Sequence, residues 1–242
     1  MRVLAFGAHP NSIEFRCAGT LAKYAARGDE IFLCITTNGN IGSQRTNKEE
    51  TAAIRHNEAL EAAKVINAKL IWLGFEDEFL FDNVETRLKV IDAVRIAKPD
   101  VIFTHPFYHD YNPDHDKTGY LSFIARINAT IKLIETEHPP HTKIPPMFYC
   151  SPFGGMGFGT CQPDHFVDIT DTFDIKMKMF MCHKSTQGEW GRDAFGMDFA
   201  DMIESENRVL AAVCGTPGVE YAEAFTLCKT WPLIADAYKY LP

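Results

Sequence analysis

The 242-residue chain contains no apolar run near the roughly 18 residues that a membrane-spanning helix requires. It has no cluster of Lys and Arg. With 24 basic against 32 acidic residues the net charge is −8, which argues against nucleic acid or an anionic membrane as the main partner. Its seven cysteines, at positions 17, 34, 150, 161, 182, 214 and 228, include no C-x-x-C pair. Scattered thiols of odd number read as free cysteines in a reducing cytosol, not as a disulfide framework. The segment Met1–Pro10 lacks the charged, apolar and small-residue regions of a secretory signal, so a cytoplasmic location is expected. Neither a G-x-G-x-x-G fingerprint nor a P-loop occurs. No nucleotide cofactor is therefore expected. No repeat or linker divides the chain, and one domain over residues 1–242 is predicted.

What is present is an alternation of short apolar runs with amphipathic stretches. Val3–Phe6, Ile31–Ile35, Leu70–Leu73 and Asp100–Thr104 read as buried strands. Between them, Glu14–Arg27, Lys48–Asn67 and Val84–Ala97 read as helices, with Gly28 suited to a C-cap. This pattern predicts an α/β fold: a Rossmann-like, mostly parallel sheet with helices on both faces. Further helices are predicted over Gly119–Glu137, Ile175–His183 and Gly196–Val213. His138–Asp164 reads as an irregular insertion with a strand near Met147–Cys150, and its glycine-rich Gly154–Gly159 as a lid or surface loop. Trp72, Phe75, Phe79 and Phe81 are expected to serve packing.

Open α/β sheets bind ligands at the carboxyl edge of their strands. Two histidine-bearing segments fall there: His9 after the first strand, and Asp110-Tyr111-Asn112-Pro113-Asp114-His115 after the fourth. Imidazole and carboxylate brought together at one edge can hold a zinc ion. Three protein ligands and a water are the usual catalytic arrangement. The plain alternative is that these polar groups cap loops.

Seven stretches in order carry a more specific signal. Ala8-His9-Pro10-x-x-Ile13-Glu14-Phe15-x-Cys17-Ala18-Gly19-Thr20-Leu21 is similar to the opening A-H-P-D-D signature of the PIG-L/LmbE-like zinc deacetylases. Thr37-Asn38-Gly39-x-x-Gly42-Ser43, Arg55-x-x-Glu58, Leu73-Gly74-Phe75-x-Asp77, Asp110-Tyr111-x-Pro113-Asp114-His115, and the pair His183-x-Ser185-x-Gln187 with Tyr221–Phe225 resemble its later motifs. The resemblance runs from end to end. It implies a homo-oligomeric enzyme acting on a small molecule, with His9, the residue at 12 and His115 as metal ligands, the residue at 11 as general base and the residue at 112 stabilising the tetrahedral intermediate.

At three of these positions the chain departs from the pattern. Asn11 stands for the base, Ser12 for the carboxylate ligand and Asn112 for a histidine. An amide accepts no proton near neutral pH, and a neutral hydroxyl is a poor zinc ligand beside carboxylate or imidazole. Zinc is therefore expected with weakened affinity or not at all, unless His105, His109 or Asp110 moves inward. Asp114 and Glu14 remain as acid/base or supporting groups. Arg55, Asp110 and Arg16 are the candidate substrate contacts, Arg55 alternatively pairing with Glu58. Arg16 replaces a glycine of the pattern; it is expected to face solvent, or else to clamp a carboxylate or phosphate. Three functions follow as expectations: an altered hydrolase for N-acylated or sugar-like substrates, a metal-independent lyase, hydratase or cyclase, or a ligand-binding homologue without catalysis.

Overall fold

The computed structural model describes residues 1–107, 110–151, 162–194, 196 and 198–242. Seven strands form one sheet: β1 (Arg2–Gly7), β2 (Glu30–Thr37), β3 (Lys69–Phe75), β4 (Val101–Thr104), β5 (Met147–Cys150), β6 (His165–Asp168) and β7 (Ala222–Leu227). Their order is β3-β2-β1-β4-β5-β7-β6. The first five are parallel, with Val3 beside both Ile31 and Val101; β7 then runs antiparallel to β5 and β6. The parallel sheet and its helices are as the alternation predicts. The antiparallel edge is not, because its strands lie far apart in sequence and follow no βαβ rhythm.

Alternation along each strand sends side chains to two cores. Val3, Ala5, Leu33 and Phe103 pack with Ile13, Leu21, Ala62 and Phe180 on one face. Leu4, Phe6, Phe32 and Ile102 pack with Val90, Val94, Leu121 and Ala125 on the other. One face thus carries α1 (Ser12–Arg16), α2 (Ala18–Ala26), α3 (Lys48–Val65) and α6 (Phe173–Phe180); the other carries α4 (Val84–Ala97) and α5 (Pro113–Asn128). A further helix, α7 (Phe199–Cys214), packs on β7.

Two helices differ from expectation. The single helix predicted over Glu14–Arg27 is broken at Cys17, whose φ of −146° is not helical. The break opens the amino end of α2, where the Gly19 and Thr20 amides donate to the buried Glu223 carboxylate at 3.0 and 2.7 Å. Glu223 is paired in turn with Lys176 at 2.7 Å, both side chains fully buried. A charged partner from β7 therefore decides where the helix begins again, and local propensity has no knowledge of it. The helix predicted over Gly119–Glu137 starts earlier and stops sooner. Asn112 caps its amino end, accepting from the amides of Asp114 (2.8 Å) and His115 (3.3 Å), with Pro113 at the first helical position. At the other end the Ala129 carbonyl accepts from buried Arg95 and from the His141 amide, and the chain turns away.

The cysteines at 17, 34, 150 and 228 are buried and those at 182 and 214 half-buried, all as free thiols. Trp72 and Phe75 pack against the cores, whereas Phe79 and Phe81 are more than half exposed, so packing does not account for the latter pair. His109, Cys161 and the glycine-rich segment 154–159 lie outside the described residues. No helix among the described residues is long and apolar enough to cross a membrane.

Candidate active site

Strand order reverses on either side of β1, so the chain leaves β1 and β4 in different directions and a crevice opens between their carboxyl ends. A cavity of about 520 Å³ lies there, a size suited to a small molecule. His9, Asn11, Ser12 and Arg16 reach it from the β1 loop and α1, Arg55 from α3, and Asn112 and His115 from the start of α5. Asp114 lies directly beneath, fully buried. The structure thus gathers around one cavity the residues singled out from two distant stretches of sequence.

The two histidines are held from behind by carboxylates. His9 Nε2 lies 2.9 Å from Asp77 Oδ1 and 3.4 Å from Asp114 Oδ2. His115 Nδ1 lies 3.0 Å from Asp110 Oδ1, out of line with the ring N–H. The rings meet edge to face with centroids 5.1 Å apart. Burial opposes a charge on His9, but Asp114 and Asp77 outweigh it and lift its pKa to about 9. For His115 burial prevails over the Asp110 contact, and the positive His9 and Arg16 nearby add to it, leaving about 4. Asp77 and Asp110 are held below the usual carboxylate range: burial resists this, but His9 and Arg55 act on the first, and His115 and Arg16 on the second. Asp110 therefore holds a histidine and does not stand at the cavity wall as a substrate contact would.

His105 does not move in as a replacement ligand. Its Nε2 accepts the Ala8 amide at 3.1 Å, which puts the ring proton on Nδ1. A protonated nitrogen offers no lone pair to a metal, although His105, Asp110 and His115 cluster closely enough to hold one. Its ring stacks on His115 at 4.5 Å and acts as a support.

Asn11 sits at the amino end of α1 with φ of 107° and makes no side-chain cap; asparagine tolerates this left-handed region better than most residues. The Ser12 hydroxyl accepts the His9 amide at 3.0 Å and is nearly buried. Asn112 uses its oxygen to cap α5, while its Nδ2 donates to Glu78 Oε1 at 2.6 Å. Arg16 does not face solvent. Its side chain is 7% exposed, donates to the Ser151 carbonyl and lies 3.9 Å from Asp110. Arg55 donates to the Gly39 carbonyl (3.1 Å) and Thr186 Oγ1 (2.9 Å), while Glu58 accepts instead from Ser185. The glycines of the second motif now have a reason: a Cβ on Gly42 would lie 2.5 Å from the Arg55 guanidinium, and Gly39 has a φ of 65°. Glu14 and His183 face each other at 3.3 Å behind α1, both buried. Sequence reasoning missed Glu78, Thr186 and Phe199 on the cavity wall. The acidic Glu76–Glu78 run just after β3 was the available sign for the first, and the His183–Gln187 motif brackets the second; Phe199 had none.

Residues 4–125 match the family described as PIG-L, GlcNAc-PI de-N-acetylase, and the chain belongs to that family. Over 233 residues it is 25% identical to the diacetylchitobiose deacetylase of Thermococcus kodakarensis, spanning 92% of this chain and 81% of that protein. Over 199 residues it is 25% identical to the 4-oxalmesaconate hydratase of Pseudomonas putida, spanning 77% and 74%. The solved structure of the 4-carboxy-2-hydroxymuconate hydratase from Pseudomonas putida KT2440 superposes with a TM-score of 0.81 at 20% identity, over 98% of this chain and 99% of that one. The last is a likeness of fold.

Proposed function

We propose that the chain is a single-domain PIG-L-family enzyme acting on a small polar substrate, N-acylated or sugar-like, through an altered metal site. One observation carries this reading. His9 is backed through Nε2 by the buried carboxylates of Asp77 and Asp114, and His115 Nδ1 lies 3.0 Å from Asp110 Oδ1 without hydrogen-bond alignment, while His9 Nδ1 and His115 Nε2 have no partner among the described residues. That is how metal-binding imidazoles are oriented. His9 and His115 fit a divalent ion; Ser12, a neutral hydroxyl already accepting an amide, fits it weakly. Bound there, zinc would supply Lewis acidity toward a carbonyl oxygen and toward water.

The rest falls to the chain itself. The basicity of His9 means that a proton competes with the ion, so binding releases protons. Phe15 and Phe199 give the cavity an apolar wall that limits water. Arg16 and Arg55, each fixed by a backbone carbonyl, place positive charge where a polar or anionic part of the substrate lies. Asn11 can orient a ligand by hydrogen bonding but cannot take its proton.

The test is metal analysis of protein purified without chelator, followed by release of free amine from N,N′-diacetylchitobiose. Turnover lost to chelator and regained with zinc is expected. Less than about a tenth of an equivalent of zinc at saturating supply would sink the reading. The loss of carboxylates at 11 and 12, together with two arginines on the wall, favours a second reading: hydration or elimination on an unsaturated carboxylate, as the name of the Pseudomonas relative describes for that protein. Turnover of such a compound that survives chelation would support it. The scattered cysteines favour a cytoplasmic location, and the family resemblance implies a homo-oligomer, which light scattering of the purified protein tests.

A further inference from the structure

We infer that Glu78 is a catalytic residue: the proton acceptor of this site, relocated from the start of α1 to the loop after β3. The inference rests on the hydrolytic reading above. Three observations carry it. First, of the two carboxylates on the cavity wall, Asp77 is tied to His9, whereas Glu78 is not spent on a histidine. Its Oε1 accepts from the Asn112 amide at 2.6 Å and its Oε2 has no partner among the described residues.

Second, Glu78 has a backbone φ of 66°. That conformation costs a glutamate more than a glycine, and such outliers gather where function requires them. The surroundings impose it. Asp114, fully buried, accepts the Glu78 amide at 2.8 Å on one oxygen and the Leu80 amide at 3.2 Å on the other. The residue that backs His9 therefore also fixes the turn that aims Glu78.

Third, a Glu78 oxygen, a His9 ring nitrogen and an Asp77 oxygen lie within 4.8 Å of one another, so the carboxylate stands beside His9 at the cavity. Position 11, where the family pattern has its base, holds an amide. Asn112 at the same time holds Glu78 in place through the hydrogen bond to Oε1.

The step balances on this residue. A water oxygen forms a bond to the acyl carbon while its proton passes to Glu78 Oε2. The carbon–nitrogen bond then breaks, and Glu78 returns the proton to the departing nitrogen. Water is consumed; a carboxylic acid and an amine leave.

The experiment compares wild type, E78Q, E78G and the double variant E78Q/N11D with N,N′-diacetylchitobiose, measuring amine release and melting temperature on the full chain. E78Q is expected to lose about 100-fold or more in kcat with KM within about threefold. E78Q/N11D should recover at least about tenfold of that, because a carboxylate returns to the same cavity. E78G, relieved of the left-handed strain, should melt at or above the wild type while remaining inactive. Activity of E78Q within about threefold of wild type overturns the inference and leaves the hydrolytic reading standing. Clear destabilisation of E78G also overturns it, since the turn would then need the glutamate for structure. No turnover by the wild type overturns both.

Discussion

At the residue scale, the site is defined by what three neutral side chains do in place of charged or basic ones. Ser12 accepts the His9 amide, Asn112 caps α5 and steadies Glu78, and Asn11 occupies a left-handed turn. None of these roles needs a metal, and each keeps the cavity in shape. A carboxylate at 12 would add a charged oxygen ligand beside His9 and His115. The double variant N11D/S12D is accordingly expected to bind zinc at least about 10-fold more tightly than wild type, since even loss of groups behind the ligands costs about 10–100-fold. Calorimetric titration of both proteins measures this, and equal affinities would mean that the ion is held by other groups.

At the scale of elements, the junction of α1 and α2 with β7 and α6 depends on one buried ion pair. Glu223 caps α2 through two amides and meets Lys176, which also donates to the Phe15 carbonyl at 3.0 Å. Phe15 lines the cavity, so this pair sets the wall as well as the helix. Neutralising one partner leaves the other charged and dry. E223Q should therefore lose about 3–5 kcal/mol of unfolding free energy, measured by urea denaturation. A loss under about 1 kcal/mol would show that water or a neighbour replaces the carboxylate. The start of α5 is a second case of one element serving another: Asn112, Pro113 and Asp114 form its first turn, and Asp114 holds the loop bearing Glu78.

At the scale of the whole molecule, stability should fall on mild acidification. His141 is buried after α5, with Nε2 3.1 Å from the Pro99 carbonyl, ahead of β4. Burial lowers its pKa, against the opposing pull of that carbonyl. A histidine with a depressed folded-state pKa binds fewer protons folded than unfolded. Its contribution is thus complete above about pH 6.5 and lost as pH falls toward the folded value. The urea midpoint of the wild type should drop between pH 7 and pH 5, and less steeply in H141Q, whose amide can still donate to Pro99. Identical slopes in the two proteins would remove His141 as a source. Below about pH 4 the carboxylates whose values are depressed, Asp100 beside Lys143 and the Arg2 amide among them, add a further loss.

Much of this was written in the sequence. Apolar runs of strand length separated by helical periodicity determined the parallel sheet and its two helical layers, because burial of alternating faces admits few other arrangements. Motif order determined which residues would meet at the cavity. Chemistry alone determined that Asn11 and Ser12 cannot do what carboxylates do. Only the tertiary structure decided the rest. Arg16 turns inward because the Ser151 carbonyl, 135 positions away, receives it. The break at Cys17 follows from a carboxylate on β7 that no local window contains. Asp110 goes to His115, His105 is fixed in the tautomer that excludes it as a ligand, and Glu78 is turned toward the cavity by Asp114. In each instance the deciding term is a polar contact, buried or partly buried, whose strength depends on distance and burial, and chain positions do not encode either until the sheet has assembled.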